Sequence, residues 1–319
     1  MRLVLAGLLV GLLCPELANP CATARDGNGH VVLTGEVVAI VWDPSSQTEH
    51  FVRRASFDAD TKDFGFIVPV PSLPEIAQVE TGGFDVLETM APYFRGSGAN
   101  KSKRAGAGGA DEVVVLQSQR VGDYVATVIE GTQASGVTDW LMKNGYSARK
   151  SLIPWIDHYV KKKWKFAAFK FVGNPGKHET ASIRLSFKSP FPYYPYKAPQ
   201  DDWPKDMVKP MTVFFLSDKV YRAKYLGTTL DWEGSLDWKG RVHDVDREAL
   251  SILFKIPDAT FPRSAVLSTF HNYKNSMPYD KDLEFYPVDE TFRQLPAVPK
   301  SPNIKPVKGG PQAAGTVGG

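Results

Sequence analysis

The stretch DFGFIVPVPSLPEI, residues 63–76, alternates apolar side chains with the period of a strand and then meets prolines at 69, 71 and 74. Successive side chains on a strand point to opposite faces, so Phe64, Phe66 and Val68 share one face and Gly65 and Ile67 the other. Proline has no N–H to give to a sheet ladder, and a central strand is expected to end before Pro69. Beyond it, Val70-Pro71-Ser72-Leu73-Pro74 favours an extended, polyproline-like path, because each proline restrains itself and the residue before it. A strand that leaves its sheet here and crosses the surface is architecture. The local pattern offers no chemistry.

Strand-like runs recur along the chain. HVVLTGEVVAIVWD (30–43) is β-branched, and QTEHFVRRASF (47–57) follows across Pro44, Ser45 and Ser46, so the two read as an antiparallel hairpin. DEVVVLQSQRVGDYVATVIEG (111–131) supplies two more strands around Val121-Gly122-Asp123, and KFAAFKFVG, ASIRLSFKS and MTVFFLSDKVYRAKYLG resume the pattern. Helical spacing appears in GFDVLETMAPYF (83–94), through Phe84, Leu87, Met90 and Ala91. In SGVTDWLMKNGY, Ser135 is the expected N-cap, Val137, Trp140 and Leu141 share a face, and Asn144-Gly145 is a stop. SLIPWIDHYVKKKW carries an apolar stripe of Leu152, Trp155, Ile156, Tyr159 and Val160, with Pro154 tolerable in its first turn. Lys161, Lys162 and Lys163 stand where cations complement the helix dipole, a role preferred to a phosphate-binding patch. REALSILFKI (247–256) reads as a short helix or a buried strand. Strands before and after one helical pair predict an α+β fold with mixed or mainly antiparallel sheets and a central helical pair, not a regular βαβ repeat.

The N-terminus reads as a targeting segment. MRLVLAGLLVGLLC has one positive charge at Arg2 and an unbroken apolar run over 3–14, short for a bilayer span but right for the core of a signal peptide. Ala22-Thr23-Ala24 has the small-x-small cleavage pattern, so residues 1–24 are assigned to the signal and the mature protein to the periplasm or the exterior, with no membrane span. The only cysteines are Cys14 and Cys21, and loss of Cys14 with the signal removes any intramolecular disulfide. An α+β globular region over 25–295, of one or two subdomains, then relies on its core, which 43% hydrophobic residues in a chain of 319 permit. The glycine-rich stretch 96–111 and the Pro/Gly tail 296–319 lack apolar periodicity and are expected to be mobile and disordered, respectively. Thirty-eight basic side chains against 35 acidic ones leave no concentrated positive excess, which argues against nucleic acid as a partner.

Three blocks carry a family resemblance: FGFIVPVP (64–71), DWLMKNGY through KWKFAAFKF (139–171) and SIRLSFKSPFPYYPYK (182–197). In this order and spacing the chain resembles the bacterial family catalogued as domain of unknown function 2330, over residues 21–197. The resemblance implies an exported bacterial protein with no established activity, and it carries over no catalytic residues.

The chain has no nucleophile elbow, P-loop, dinucleotide fingerprint or zincin motif, and no cysteine pair for zinc. RVHDVDRE gathers His243, Asp244, Asp246 and Glu248, a mixed donor set, but a polar loop entering a helix explains the same letters. No metal or cofactor is therefore expected. Ser268 and His271 lie close in STFHNY, which is poor evidence for a triad assembled in space. The aromatic residues suggest more. Tyr193, Tyr194, Tyr196 and Trp203 share one proline-held segment, and an Asp-Trp unit repeats at Trp232 and Trp238. An exposed face of Tyr194, Trp203, Trp232 and Trp238 would bind an envelope polysaccharide or an envelope protein, whereas buried rings would only cover a core edge. The reading is a noncatalytic binding or interaction protein of the cell envelope; the alternative is an extracytoplasmic hydrolase using carboxylate or Ser/His chemistry.

Overall fold

In a computed structural model of the protein, the residues described are 22–25, 31–59, 64–91, 113–146, 149, 151–174, 176–200, 211–272 and 280–290. The expected signal core, the 96–111 stretch, the 296–319 tail and Trp203 lie outside them. The first half carries β1 (Ala22–Arg25), β2 (Val31–Asp43), β3 (Thr48–Ala59), β4 (Phe64–Val70), β5 (Glu75–Val79) and α1 (Gly82–Met90). Then come β6 (Val113–Val121), β7 (Tyr124–Gly131), α2 (Ala134–Lys143), α3 (Leu152–Val160) and β8 (Lys165–Phe171). They are followed by β9 (Gly176–Glu179), β10 (Ser182–Lys188), β11 (Tyr193–Tyr194), β12 (Thr212–Ser217) and β13 (Val220–Tyr225). β14 (Ser235–Arg241), α4 (Asp244–Leu253), β15 (Val266–His271) and β16 (Leu283–Val288) complete the order.

The strands build three sheets. One has the order β1-β4-β8-β7-β6; the largest runs β14-β15-β12-β2-β3-β10-β5, with β9 also on β3; the smallest is β11-β16-β13. Among the described residues only the β12–β2 pairing is parallel. The mainly antiparallel α+β expectation holds, as does the β2–β3 hairpin.

Alternation along β2 shows how the layers form. Val38, Ile40 and Trp42 enter one core, and Val37, Ala39 and Val41 enter the other. The second core is roofed by α1 and α4, where Phe84 meets Phe254 at 5.3 Å between ring centroids. The first core receives the five-stranded sheet through Phe64, Phe66 and Val68, and the three-stranded sheet through Phe285, stacked on Phe215 at 4.5 Å. The far face of the five-stranded sheet carries α2 and α3: Phe166 lies 6.4 Å from Trp155, and Val137 sits over Gly131. Gly65 faces this side, where a Cβ would collide with the Tyr146 ring and the Phe169 carbonyl. The four helices of the described residues thus form two pairs on opposite flanks, α1 with α4 and α2 with α3, instead of the single central pair expected from sequence. The physical reason is that each of the two larger sheets has its own second apolar face to cover.

Two local expectations are also corrected. Pro69 does not end β4; it stays in the ladder opposite Phe166 of β8. On the other side the described part of β1 pairs as far as Ile67, so among the described residues no strand there asks Pro69 for an N–H. After Val70 the chain passes through Pro71 and Pro74 into β5, which belongs to the largest sheet. The prolines therefore carry the chain from one sheet to another. At α2 the N-cap is Gln133, and Ser135 lies inside the first turn. The Asn144-Gly145 stop is as expected, with Gly145 at φ +76°.

Candidate functional site

The three sequence blocks that carry the resemblance converge on one segment, Tyr193 to Lys197. Tyr193, Tyr194 and Tyr196 are fully buried there. The Tyr193 N–H donates to Glu49 Oε2 of β3 at 2.8 Å, and its hydroxyl donates to the Pro69 carbonyl of β4. Trp155 Nε1–H of α3 donates to the Lys197 carbonyl at 2.9 Å. The Lys197 N–H in turn donates to Asp282 Oδ1 at 3.1 Å, an oxygen that also accepts the Tyr159 hydroxyl at 2.9 Å. One short proline-aromatic segment thus ties together β3, β4, α3 and the start of β16.

Two buried carboxyls anchor this hub. Burial pushes Glu49 well above the usual carboxylate range, against the single backbone N–H of Tyr193. Burial likewise raises Asp282, against Tyr159, the Lys197 N–H and the charges of Lys162 and Lys197. Glu49 Oε1 and Asp282 Oδ2 have no hydrogen-bond partner among the described residues, so each carboxyl is held through its other oxygen alone. The Lys162 ammonium lies 5.0 Å over the Trp164 ring and is lowered by burial, while burial, then Lys162 and Lys197, hold His158 down at about 4. Burial thus shifts acid, amine and imidazole alike toward their uncharged forms.

A second polar cluster lies on the opposite face of β3. His50 Nδ1 is 2.8 Å from Ser186 Oγ, and Nε2 is 3.0 Å from Thr260 Oγ1. Thr260 donates to the Pro257 carbonyl, so it accepts from Nε2–H, and Nδ1 accepts from the Ser186 hydroxyl. This is a Ser–His contact between residues 136 positions apart. Burial, reinforced by Arg184 and opposed by Asp43, pushes His50 down to about 3. An imidazole that weak is a poor general base near neutrality, where an efficient one titrates close to the working pH. Its geometry is that of a clamp holding β3, β10 and the turn after α4 together.

That clamp has a pH signature. Between about pH 6.5 and 3 the unfolded chain binds a proton at His50 that the folded chain does not, so stability rises with pH there, by up to about 1.4 kcal/mol per unit. Glu49 and Asp282 act in the opposite sense: their contribution is complete below the unfolded carboxyl pKa of about 4 and is lost as pH rises through their raised folded values. Between pH 8 and 4 the melting temperature of wild type should therefore fall more steeply than that of His50→Asn, so that the gap between them narrows on the acid side. Parallel curves would show that His50 is not buried neutral.

The aromatic face expected from sequence is not formed by its two residues with described side chains. Tyr194 packs against Phe51, and Trp232 is buried between Tyr196 at 6.0 Å and Phe270 at 6.4 Å. The indole folds over Gly234, where any Cβ would collide with it. Trp238 pairs through its backbone with Thr269 on β15. His243, Asp244, Asp246 and Glu248 form the N-cap and opening turns of α4, where Asp244 and Asp246 complement the dipole. No three His, Cys, Asp or Glu side chains converge as a metal site among the described residues. Ser268 and His271 are an odd number of positions apart on β15 and point to opposite faces, so they cannot meet. Lys161 does sit at the C-terminal end of α3, paired with Asp157 at 2.5 Å.

The residues missed by sequence reasoning had a signal. Glu49, Arg53 and Ala55 share the two-residue period of Phe51 and Phe57, which marks charges in register with a buried apolar face.

These ties define a mainly antiparallel α+β protein whose polar clusters join layers. The family model described as "Uncharacterized protein conserved in bacteria (DUF2330)" matches residues 15–201, more than half of the chain, and the protein belongs to that family. The matched range ends before Asp282, so the carboxyl that closes the hub comes from the chain beyond it. No curated protein and no solved structure matches.

Proposed function

We propose that this is a noncatalytic interaction protein of the bacterial cell envelope that engages a protein partner through the β6 edge. One observation carries the reading: Val114, Val115 and Leu116 on this edge strand are 58%, 48% and 36% exposed. Exposed aliphatic side chains on an edge strand are a recognised means of strand addition. A polysaccharide is disfavoured because Tyr194 and Trp232, two rings meant to stack on it, are core residues. The hydrolase alternative rests on the Ser186–His50 contact, and the low basicity of His50 weighs against it.

Placement outside the cytoplasm is supported by the apolar run over 3–14. Pairing of Ala22–Arg25 with β4 favours a cut before Ala22, since cleavage after Ala24 would remove most of β1. Intact-mass measurement of the exported protein should show 18 to 21 residues missing; full-length protein recovered from the cytoplasm would overturn the placement. The interaction itself is tested with a photo-crosslinking residue at position 115 in intact cells, with position 252 on the exposed face of α4 as control. A discrete adduct at 115 and none at 252 is expected. Equal or absent crosslinking at both would end the reading.

A further inference from the structure

We propose that the outer flank formed by α2 and α3 is a membrane-surface face, which lies against anionic phospholipid headgroups with the first turn of α3 seated in the interface. It uses none of the residues of the β6 edge and stands independently of that reading.

The charge of the chain is unevenly placed. Residues 134–171 hold eight basic side chains against two acidic ones, and the remainder of the chain holds 30 against 33. The near balance of the whole sequence thus conceals one cationic segment in an otherwise slightly acidic protein. The fold keeps that segment together, because α2 and α3 pack on each other over the far face of the five-stranded sheet. Lys143 is exposed at the last position of α2. Along α3, Ile153, Asp157 and Lys161 follow at four-residue spacing and form one outward row, as the 2.5 Å pair of Lys161 with Asp157 shows. Lys162 and Lys163 are exposed just past the helix. Lys170 of β8 lies opposite Gly65, on the side of Tyr146, and its Nζ donates to the Asn144 carbonyl at the end of α2 at 3.2 Å. Lys161 at the C-cap already answers the α3 dipole. Lys143, Lys162, Lys163 and Lys170 enter no ion pair among the described residues.

Two features select a lipid surface as the occupant. The first is the kind of cation. A pocket for one phosphate or carboxylate favours the planar fork of arginine, whereas lysine is a hydrated point charge on a flexible stem. Lysines spread over two helix ends and a strand share no focus, which suits a plane of many headgroups, each attracting a nearby amine separately. The second is an apolar element among the charges. Ile153 is 43% exposed on the same outward row as Lys161, and Pro154 beside it is also exposed. An acidic polymer presents nothing to these two side chains. A membrane interface takes both kinds of group, since an acyl boundary lies directly beneath its charges. The helix lies on the surface and does not span it: nine residues reach about 13 Å, against about 30 Å of hydrocarbon.

The test is co-sedimentation of the purified mature chain with vesicles of phosphatidylglycerol and phosphatidylcholine in equal parts, and with vesicles of phosphatidylcholine alone. Wild type should pellet with the mixed vesicles, stay in solution with the neutral ones, and be released as salt rises. Lys162→Glu with Lys163→Glu, at unchanged circular dichroism, should bind the mixed vesicles at least about tenfold more weakly. Lys219→Glu with Lys255→Glu makes the same change in net charge elsewhere on the surface and should bind like wild type. Ile153→Ser keeps every charge and should still bind at least about threefold more weakly, because it removes apolar area from the interface. Wild type that ignores the mixed vesicles would overturn the proposal, as would equal losses in the two charge-reversed variants. Retention on immobilised polyglutamate without vesicle binding would assign the flank to an acidic polymer instead. Undiminished binding of Ile153→Ser would overturn the seating of α3 in the interface.

Discussion

Replacing Phe66 with alanine should lower the free energy of unfolding by about 3–5 kcal/mol, the usual cost of emptying a buried phenylalanine site. The ring is buried, stacked on Phe169 across the β4–β8 ladder at 4.8 Å and set edge-on to Tyr124 at 5.3 Å. Its other face carries the Arg53 guanidinium at 4.1 Å, so the truncation removes a contact between two sheets as well as apolar volume. Urea denaturation checks this: the midpoint should fall with little change in slope, and Phe66→Leu should cost clearly less. A shift equivalent to under about 1 kcal/mol for the alanine variant would place the ring outside the core.

The second large effect should come from Arg53→Met. Arg53 Nε donates to Glu36 Oε1 at 2.5 Å, and both side chains are almost wholly buried between the stacked sheets. Removing the guanidinium leaves the Glu36 carboxylate buried without its counter-charge, a change that typically costs about 3–5 kcal/mol. Replacing both partners, Arg53→Met with Glu36→Leu, should recover most of that loss, because the desolvation cost disappears with the charges. A double variant as unstable as Arg53→Met alone would show that the packing of Arg53, not its charge, is what the fold uses. Since Arg53 and Phe66 touch, their single-variant effects should not add.

Both predictions concern residues whose burial was only half legible beforehand. The alternation of Phe64, Phe66 and Val68 marks an apolar face, but the same alternation places Glu49 and Arg53 among phenylalanines on β3. A charged residue in an apolar register reads from sequence either as a surface position or as half of a buried pair. Its partner decides which, and Glu36 lies 17 residues away across the hairpin. The tryptophans fared worse for a related reason. Asp-Trp beside glycine suits an exposed turn, yet Trp232 is drawn inward by Tyr196 and Phe270, which come from distant strands.

What the amino-acid order determined by itself is local. Two-residue alternation marks the strands, the Asn144-Gly145 pair marks the end of α2, and the prolines mark where a strand must lose a neighbour or change sheet, because each follows from the sterics and hydrogen bonding of a few adjacent residues. What only the tertiary structure decided is which surfaces face each other. That choice split the helices into two flanking pairs and brought Ser186 to His50 and Asp282 to Tyr159. Burial energy depends on area shared between distant segments, and a carboxyl's charge state depends on the water those segments exclude, so neither is encoded in any short window of the chain.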